Sequence, residues 1–370
     1  MRVAILTSSR ADYGIYLPLL KALRADPYFE LEIIAFGTHL SKYHGYTLNE
    51  IEKSGFEVNH IISSMLVTDD SASIATAYAI TAMKFSTLWE QYGKVYDWVF
   101  CLGDRYEMAA AVAAGIPFNI PFAHIHGGET TLGAIDNIYR HSITLASKLH
   151  FVAAENFAKR VKEIVGSVTN CVVTGSLSLE NLKEIALLSV DDFNAKWNIN
   201  LTLPSILVTI HPETIAFEKN LFFADEVFTA LQKINLKHQL IITMPNADTM
   251  GSVYRSMFEK LKEKSVGKVH LIENFGTQSY FSCLKHIDLI LGNSSSGIIE
   301  AATFGIFVLD IGDRQKGRLT SGNVIHVPFD SRSIIESTNK QAGKHYDGDN
   351  IYFKENATQI IIQSLKEYKY

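Results

Sequence analysis

The run Gly292-Asn293-Ser294-Ser295-Ser296-Gly297 interrupts an apolar stretch ending at Leu291, and an apolar-periodic segment follows at once. That order predicts strand, tight turn, helix. It sets small residues and backbone N–H groups at a helix N-terminus, where the macrodipole favours an anion. Serine N-capping alone accounts for such a turn about equally well. The residues that follow tip the balance. Glu300 lies one turn into the helix, and Arg314, Lys316 and Arg318 crowd a glycine-flanked loop after the next apolar run. A carboxylate accepts hydrogen bonds from a ribose diol, and guanidinium groups pair bidentately with a diphosphate. The stretch from Asp288 to Arg318 therefore reads as a nucleotide site built on Ser294, Ser295, Ser296, Gly297, Glu300, Arg314 and Arg318.

The other chemistry-bearing residues also sit where apolar runs stop. They are Ser8-Ser9-Arg10-Ala11-Asp12-Tyr13, Gly103-Asp104-Arg105, His124-Ile125-His126-Gly127-Gly128-Glu129 with Asp136, Arg140 and His141 beyond, His211-Pro212-Glu213 and Pro245-Asn246-Ala247-Asp248. Each has a plainer explanation: Asp104 as a helix N-cap, His211 as a strand terminator, His124 and His126 as satisfied core histidines. Two imidazoles two residues apart share a strand face, yet no Cys or third His recurs at ligand spacing, so no metal is expected. Taken together, carboxylates and histidines from several strand ends in one half face an anion loop in the other. Such a cleft suits proton chemistry on a group attached to a nucleotide diphosphate.

Positioning these residues requires a particular framework. Apolar runs at 3–7, 31–36, 58–62, 98–102, 121–125, 149–153 and 172–174 alternate with amphipathic segments, which predicts an α/β doubly wound parallel sheet. The pattern restarts after a polar helical stretch from Gly175 to about Ile199, with strands at 206–210, 239–243, 269–272, 289–291 and 307–311. Helices are predicted over 74–88, 221–234, 254–264 and 355–370. The expected architecture is two Rossmann-like doubly wound domains facing a cleft, residues 1–175 and 176–354. Ligands in such sheets bind at the carboxyl ends of the strands.

Composition sets limits on partners. With 370 residues, 47% hydrophobic and 20% charged, the chain suits two globular α/β domains. A net charge of −5 without a basic run excludes nucleic acid as a general partner. Cys101, Cys171 and Cys283 each lie in an apolar run, which suits buried thiols in a reducing cytoplasm. The first residues enter a strand directly, so no signal peptide and no membrane span are expected.

Seven blocks in order, SSRADYG, LGDRYE, HIHGGE with IDNIYRHSITLASKLH, VTIHPET, PNAD, GNSSSGIIE and GDRQKGR, resemble the hydrolysing UDP-N-acetylglucosamine 2-epimerases of sialic acid synthesis over nearly the whole chain. The resemblance implies a glycosyltransferase-B type fold, with the C-terminal helix crossing back onto the first domain. It implies a homodimer or homotetramer, and a reaction that needs neither metal nor nicotinamide cofactor. UDP leaves the substrate by elimination across C1 and C2, and the resulting 2-acetamidoglucal is hydrated to N-acetylmannosamine. By the same resemblance Asp104, Asp136 and His211 match catalytic positions. Arg10, Asp12 and Tyr13 match a phosphate and sugar loop, and Asn246, Ser294, Ser295, Glu300, Arg314 and Arg318 match UDP contacts. Arg105 belongs with the LGDR block.

One position departs from the pattern. Several relatives carry a catalytic Glu where this chain has His126, so proton transfer falls either to His126, whose imidazole can both take and give a proton, or to Glu129. The departure also admits a different sugar. Relatives with similar motifs act on UDP-2,4-diacetamido-2,4,6-trideoxyglucose in legionaminic acid synthesis. A glycosyltransferase, a non-hydrolysing epimerase and a non-catalytic nucleotide-sugar sensor are the rival classes.

Overall fold

The computed structural model of the chain describes residues 1–42, 45–66, 68, 70–167, 170–245 and 250–368. Two compact units emerge. Met1–Glu129, Asp136–Glu184 and Tyr352–Tyr370 form the first, and Thr130–Ile135 with Ile185–Ile351 the second.

In the first unit the chain runs β1 (Arg2–Thr7), α1 (Arg10–Ala25), β2 (Glu30–Phe36), α2 (Leu48–Lys53), β3 (His60–Ile62), α3 (Ser71–Tyr92), β4 (Trp98–Leu102), α4 (Tyr106–Gly115), β5 (Phe122–Ile125), α5 (Asp136–Ala146), β6 (Leu149–Val152), α6 (Glu155–Val165), β7 (Cys171–Val173) and α7 (Leu177–Glu184). The seven strands are parallel in the order β3-β2-β1-β4-β5-β6-β7. A sheet covered on both faces needs strands that are apolar throughout rather than alternating, and β1 shows why. Val3 and Ile5 join Leu19 and Leu23 of α1 in one core, while Ala4 and Leu6 join Phe85 and Trp89 of α3 and Met108 of α4 in the other.

The second unit follows with α8 (Val190–Trp197), β8 (Ser205–Thr209), α9 (Asn220–Ile234), β9 (Gln239–Thr243), α10 (Gly251–Lys264), β10 (Val269–Ile272), α11 (Gly276–Leu284), β11 (Leu289–Gly292), α12 (Ser295–Glu300), β12 (Val308–Ile311), β13 (Val324–Val327) and α13 (Ser331–Gln341). Its parallel sheet has the order β10-β9-β8-β11-β12-β13. The last helix, α14 (Ala357–Glu367), buries Ala357, Ile361 and Leu365 in the α1 core of the first unit.

Three features differ from the sequence expectation. The polar stretch from Gly175 to Ile199 is two helices rather than one: α7 ends at Glu184, and α8 starts afresh at Ser189, which caps it by accepting from the Asp192 N–H at 3.1 Å. The first unit extends past residue 175 through α7, whose Leu177 joins the first core and whose Asn181 donates to the Gly14 carbonyl at 2.8 Å. Strand β13 and helix α13 had no predicted counterpart. The strand is a half-buried edge, and the helix buries only Ile334 and Thr338. Among the described residues, no helix is long and apolar enough to cross a membrane.

Strand order reverses direction between β1 and β4 in the first sheet and between β8 and β11 in the second. These are the topological switch points at whose carboxyl ends ligands bind in open α/β sheets.

Candidate active site

At the first switch point β1 runs into Ser8 and Ser9. Ser9 caps α1 by accepting from the Asp12 N–H, and Asp12 replies by accepting from Ser9 Oγ at 2.9 Å and from Ser8 N and Oγ at 2.9 and 2.7 Å. The Asp12 carboxylate thus fastens the turn from within. Arg10 Nε lies 2.6 Å from Glu50 Oε2 on α2, and the Tyr13 ring is buried in the core.

β4 is followed by Gly103, which adopts a left-handed φ of 73°, a conformation that costs glycine little. Asp104 follows but does not cap α4; the N-cap position is Arg105, which makes no side-chain cap bond. Instead Asp104 pairs with the buried guanidinium of Arg140 on α5, and Arg105 donates to the buried Glu107 at 2.9 Å. Asp136 stands one turn before Arg140, on the same face of α5.

The two histidines of β5 have different surroundings. His124 is fully buried, with Nε2 2.9 Å from the Gly103 carbonyl and Nδ1 3.1 Å from Thr144 Oγ1. Burial holds its pKa down to about 3, so the ring is neutral and braces the turn that carries Asp104. His126 lies just beyond the strand at a φ of 64°, and its Nδ1 is 2.7 Å from Glu129 Oε1, both groups buried. The two candidates for proton transfer form one hydrogen-bonded dyad.

At the second switch point, β8 and β11 approach so closely that a Cβ on Gly292 would run into the Thr209 carbonyl. His211 and Asn293 then exchange two hydrogen bonds: His211 N–H to Asn293 Oδ1 at 2.7 Å, and Asn293 Nδ2 to the His211 carbonyl at 2.9 Å. Ser294 caps α12, and Gly297 packs on Ile290 and Val308, each 3.4 Å from where a Cβ would stand. Ser296 bonds the hydroxyl of the half-buried Tyr280 of α11, and the Glu300 carboxylate lies close enough to raise the pKa of that phenol further above the level set by burial. Ser295 is the first residue of the helix.

The arginine loop is tied to both strand ends. Glu213 Oε1 accepts from the N–H groups of Asp313 and Arg314 at 2.9 and 3.1 Å, and Arg314 Nη1 donates to the Pro212 carbonyl at 2.9 Å. Gln315 Nε2 donates to the Asn293 carbonyl at 2.8 Å. Arg314 and Arg318 are both buried. Residues 130–135, the link between Glu129 and Asp136, belong to this unit. Leu132 N–H donates to the Lys316 carbonyl at 2.8 Å and Ile135 N–H to Thr214 Oγ1 at 3.0 Å. Asn246 lies outside the described residues. A local reading of the sequence overlooked Arg140, Glu213, Asn293, Gln315 and Tyr280 as organisers; polar types at or just after strand ends were the available signal for Glu213, Asn293 and Gln315.

A model of the UDP-N-acetylglucosamine 2-epimerase family matches residues 21–366 of this architecture. The chain belongs to that family. The epimerase is 31% identical to the Escherichia coli polysialic acid biosynthesis protein P7 over 99% of this chain and 94% of that protein. It is 35% identical to the Campylobacter jejuni GDP/UDP-N,N'-diacetylbacillosamine 2-epimerase (hydrolyzing), over 88% of this chain and 83% of that one. Its fold matches the crystal structure of the Neisseria meningitidis UDP-GlcNAc 2-epimerase bound to UDP-GlcNAc with a TM-score of 0.80 at 19% identity, covering 100% of both chains. The fold is of the glycosyltransferase-B type.

Proposed function

We propose that this epimerase is hydrolysing and converts UDP-N-acetylglucosamine to N-acetylmannosamine and UDP. One observation carries the reading: the Gln315–Asn293 hydrogen bond of 2.8 Å joins the arginine loop to the serine turn at a topological switch point. Two buried guanidinium groups and a helix N-terminus on one strand-end platform suit a diphosphate leaving group.

In this account Arg314, Arg318 and the Ser294–Gly297 turn hold the diphosphate, Glu300 holds the ribose, and Arg10 and Asn246 add substrate contacts. A base removes the C2 proton as the C1–O bond breaks and its electron pair leaves with UDP. Water then gives hydroxide to C1 of the glucal while a proton returns to C2 on the opposite face. The C2 proton is weakly acidic, so most of the help comes from stabilising charge on the departing diphosphate and at C1. Asp104, oriented by Arg140, and Asp136 face the developing positive charge, and the His126–Glu129 dyad transfers protons. His211 borders the leaving group.

A second reading concerns the sugar. The identity of 35% to a diacetylbacillosamine epimerase favours a substrate with an acetamide at C4 and a methyl group at C6. Purified enzyme incubated with each UDP-sugar, without an acceptor, tests both readings. The expected result is free UDP and free 2-epimeric sugar accumulating one to one from one of the two. UDP that appears only when an acceptor is added identifies a transferase, and an epimeric UDP-sugar without free UDP identifies the non-hydrolysing reaction.

A further inference from the structure

The His126 imidazole is gripped at both ends. Beyond the 2.7 Å contact of Nδ1 with Glu129, Nε2 lies 3.3 Å from Ser176 Oγ, which lies 3.1 Å from Ser178 Oγ. All four side chains are buried. The backbone fixes both partners: Ser176 N–H donates to the Tyr352 carbonyl at 2.8 Å, and His126 N–H donates to the Phe151 carbonyl at 3.0 Å. His126 also holds a left-handed φ of 64°, which is uncommon for a residue with a Cβ and persists where the surroundings over-determine it.

Donor and acceptor accounting assigns each proton. A carboxylate only accepts, so Nδ1 carries the hydrogen that meets Glu129, and a neutral ring then presents its lone pair at Nε2. Ser176 donates its O–H to that lone pair and accepts from Ser178. When the ring takes a second proton, Nε2–H donates to Ser176, whose own hydrogen turns towards Ser178. A hydroxyl both donates and accepts, so the ring keeps a partner in either protonation state. A methyl group offers neither bond, and a buried ammonium offers only donors.

We propose that Ser176, backed by Ser178, is a positioning residue for the His126–Glu129 dyad. It holds the ring plane and lets the ring, whose Nδ1–H tautomer Glu129 sets, gain and lose one proton without losing its Nε2 partner. The proposal rests on the assignment of proton transfer to that dyad. The serine acts through the ring, not on the sugar.

The test uses the full chain with 15N-labelled histidine. Wild-type protein shows the His126 ring as a single Nδ1–H tautomer. In Ser176→Ala the Nδ1–H tautomer persists, because Glu129 still accepts from it, but the Nε2 signal moves to that of an unbonded lone pair, kcat falls by about ten- to a hundredfold, the effect of leaving one buried polar group unsatisfied, and UDP affinity stays within about twofold. Retained UDP binding also reports that the variant is folded. Ser176→Thr, which keeps the hydroxyl, restores both the Nε2 signal and kcat. An alanine variant that keeps the wild-type Nε2 signal or the wild-type kcat, or a threonine variant as impaired as alanine, overturns the proposal. If wild-type enzyme turns over neither UDP-sugar, the reaction proposed above fails, while the Nε2 signal still decides the role of Ser176.

Discussion

Asp104 and Arg314 divide the proposed reaction between sugar and leaving group, and their neighbours explain how each is held. Asp104 is steered by a buried arginine, so Asp104→Asn keeps the shape and loses the charge that the proposed mechanism turns towards C1. Turnover is expected to fall by about a hundredfold or more, the scale of a lost charged participant, with UDP affinity unchanged by calorimetry. Near wild-type turnover in that variant sinks the assignment. Arg314→Ala reverses the pattern. UDP binding weakens by about ten- to a hundredfold, since hydrogen bonds to charged groups contribute about 1.5–3 kcal/mol; unchanged UDP affinity contradicts it. Both residues were legible in the sequence because charged groups at strand ends stand out. Arg140, Glu213 and Ser176 were harder to read, since their partners Asp104, Asp313 and His126 lie far along the chain and only folding brings them together.

At the scale of elements, the strand ends matter more than the strands. Gly292 combines a φ of 153° with an approach to Thr209 that leaves no room for a side chain. Gly292→Ala is expected to push β11 from β8 and strain the His211–Asn293 exchange. Overpacking of this kind costs about 1–3 kcal/mol, so the melting temperature falls and UDP affinity falls with it. A variant with unchanged melting and UDP binding contradicts the close-approach argument. Most strands were readable from apolar runs, since strands buried on both faces need no alternation to be recognised. Edge strand β13 and helix α13 were not readable, because few of their side chains are buried and the periodic signal is correspondingly weak.

Across the whole molecule, the first unit carries a distinctive acid sensitivity. Burial pushes His39 and His150 down to about 4 and His124 to about 3. An unfolded imidazole titrates near about 6.5. Below that pH the unfolded chain binds protons that the folded chain refuses, so stability falls as pH drops from about 6.5 towards 4 and is regained on the way back up. Denaturant titrations followed through Trp89 and Trp98, both buried in this unit, should show the midpoint falling over that window. A midpoint constant from pH 6.5 to 4 contradicts it. The division of the chain was only partly legible. Nothing local near Gly175 shows that α7 stays with the first unit, since the holding contacts reach back to Gly14 and to the α1 core. Likewise no local signal in residues 130–135 places them with the arginine loop.

The central claim, elimination followed by hydration, is tested most directly at C2 of the product. Incubating the enzyme with UDP-N-acetylglucosamine and with its 2,4-diacetamido-6-deoxy counterpart in heavy water, and following both by NMR, should give free UDP and a 2-epimeric sugar carrying deuterium at C2. UDP release with the original hydrogen retained at C2 would contradict the account.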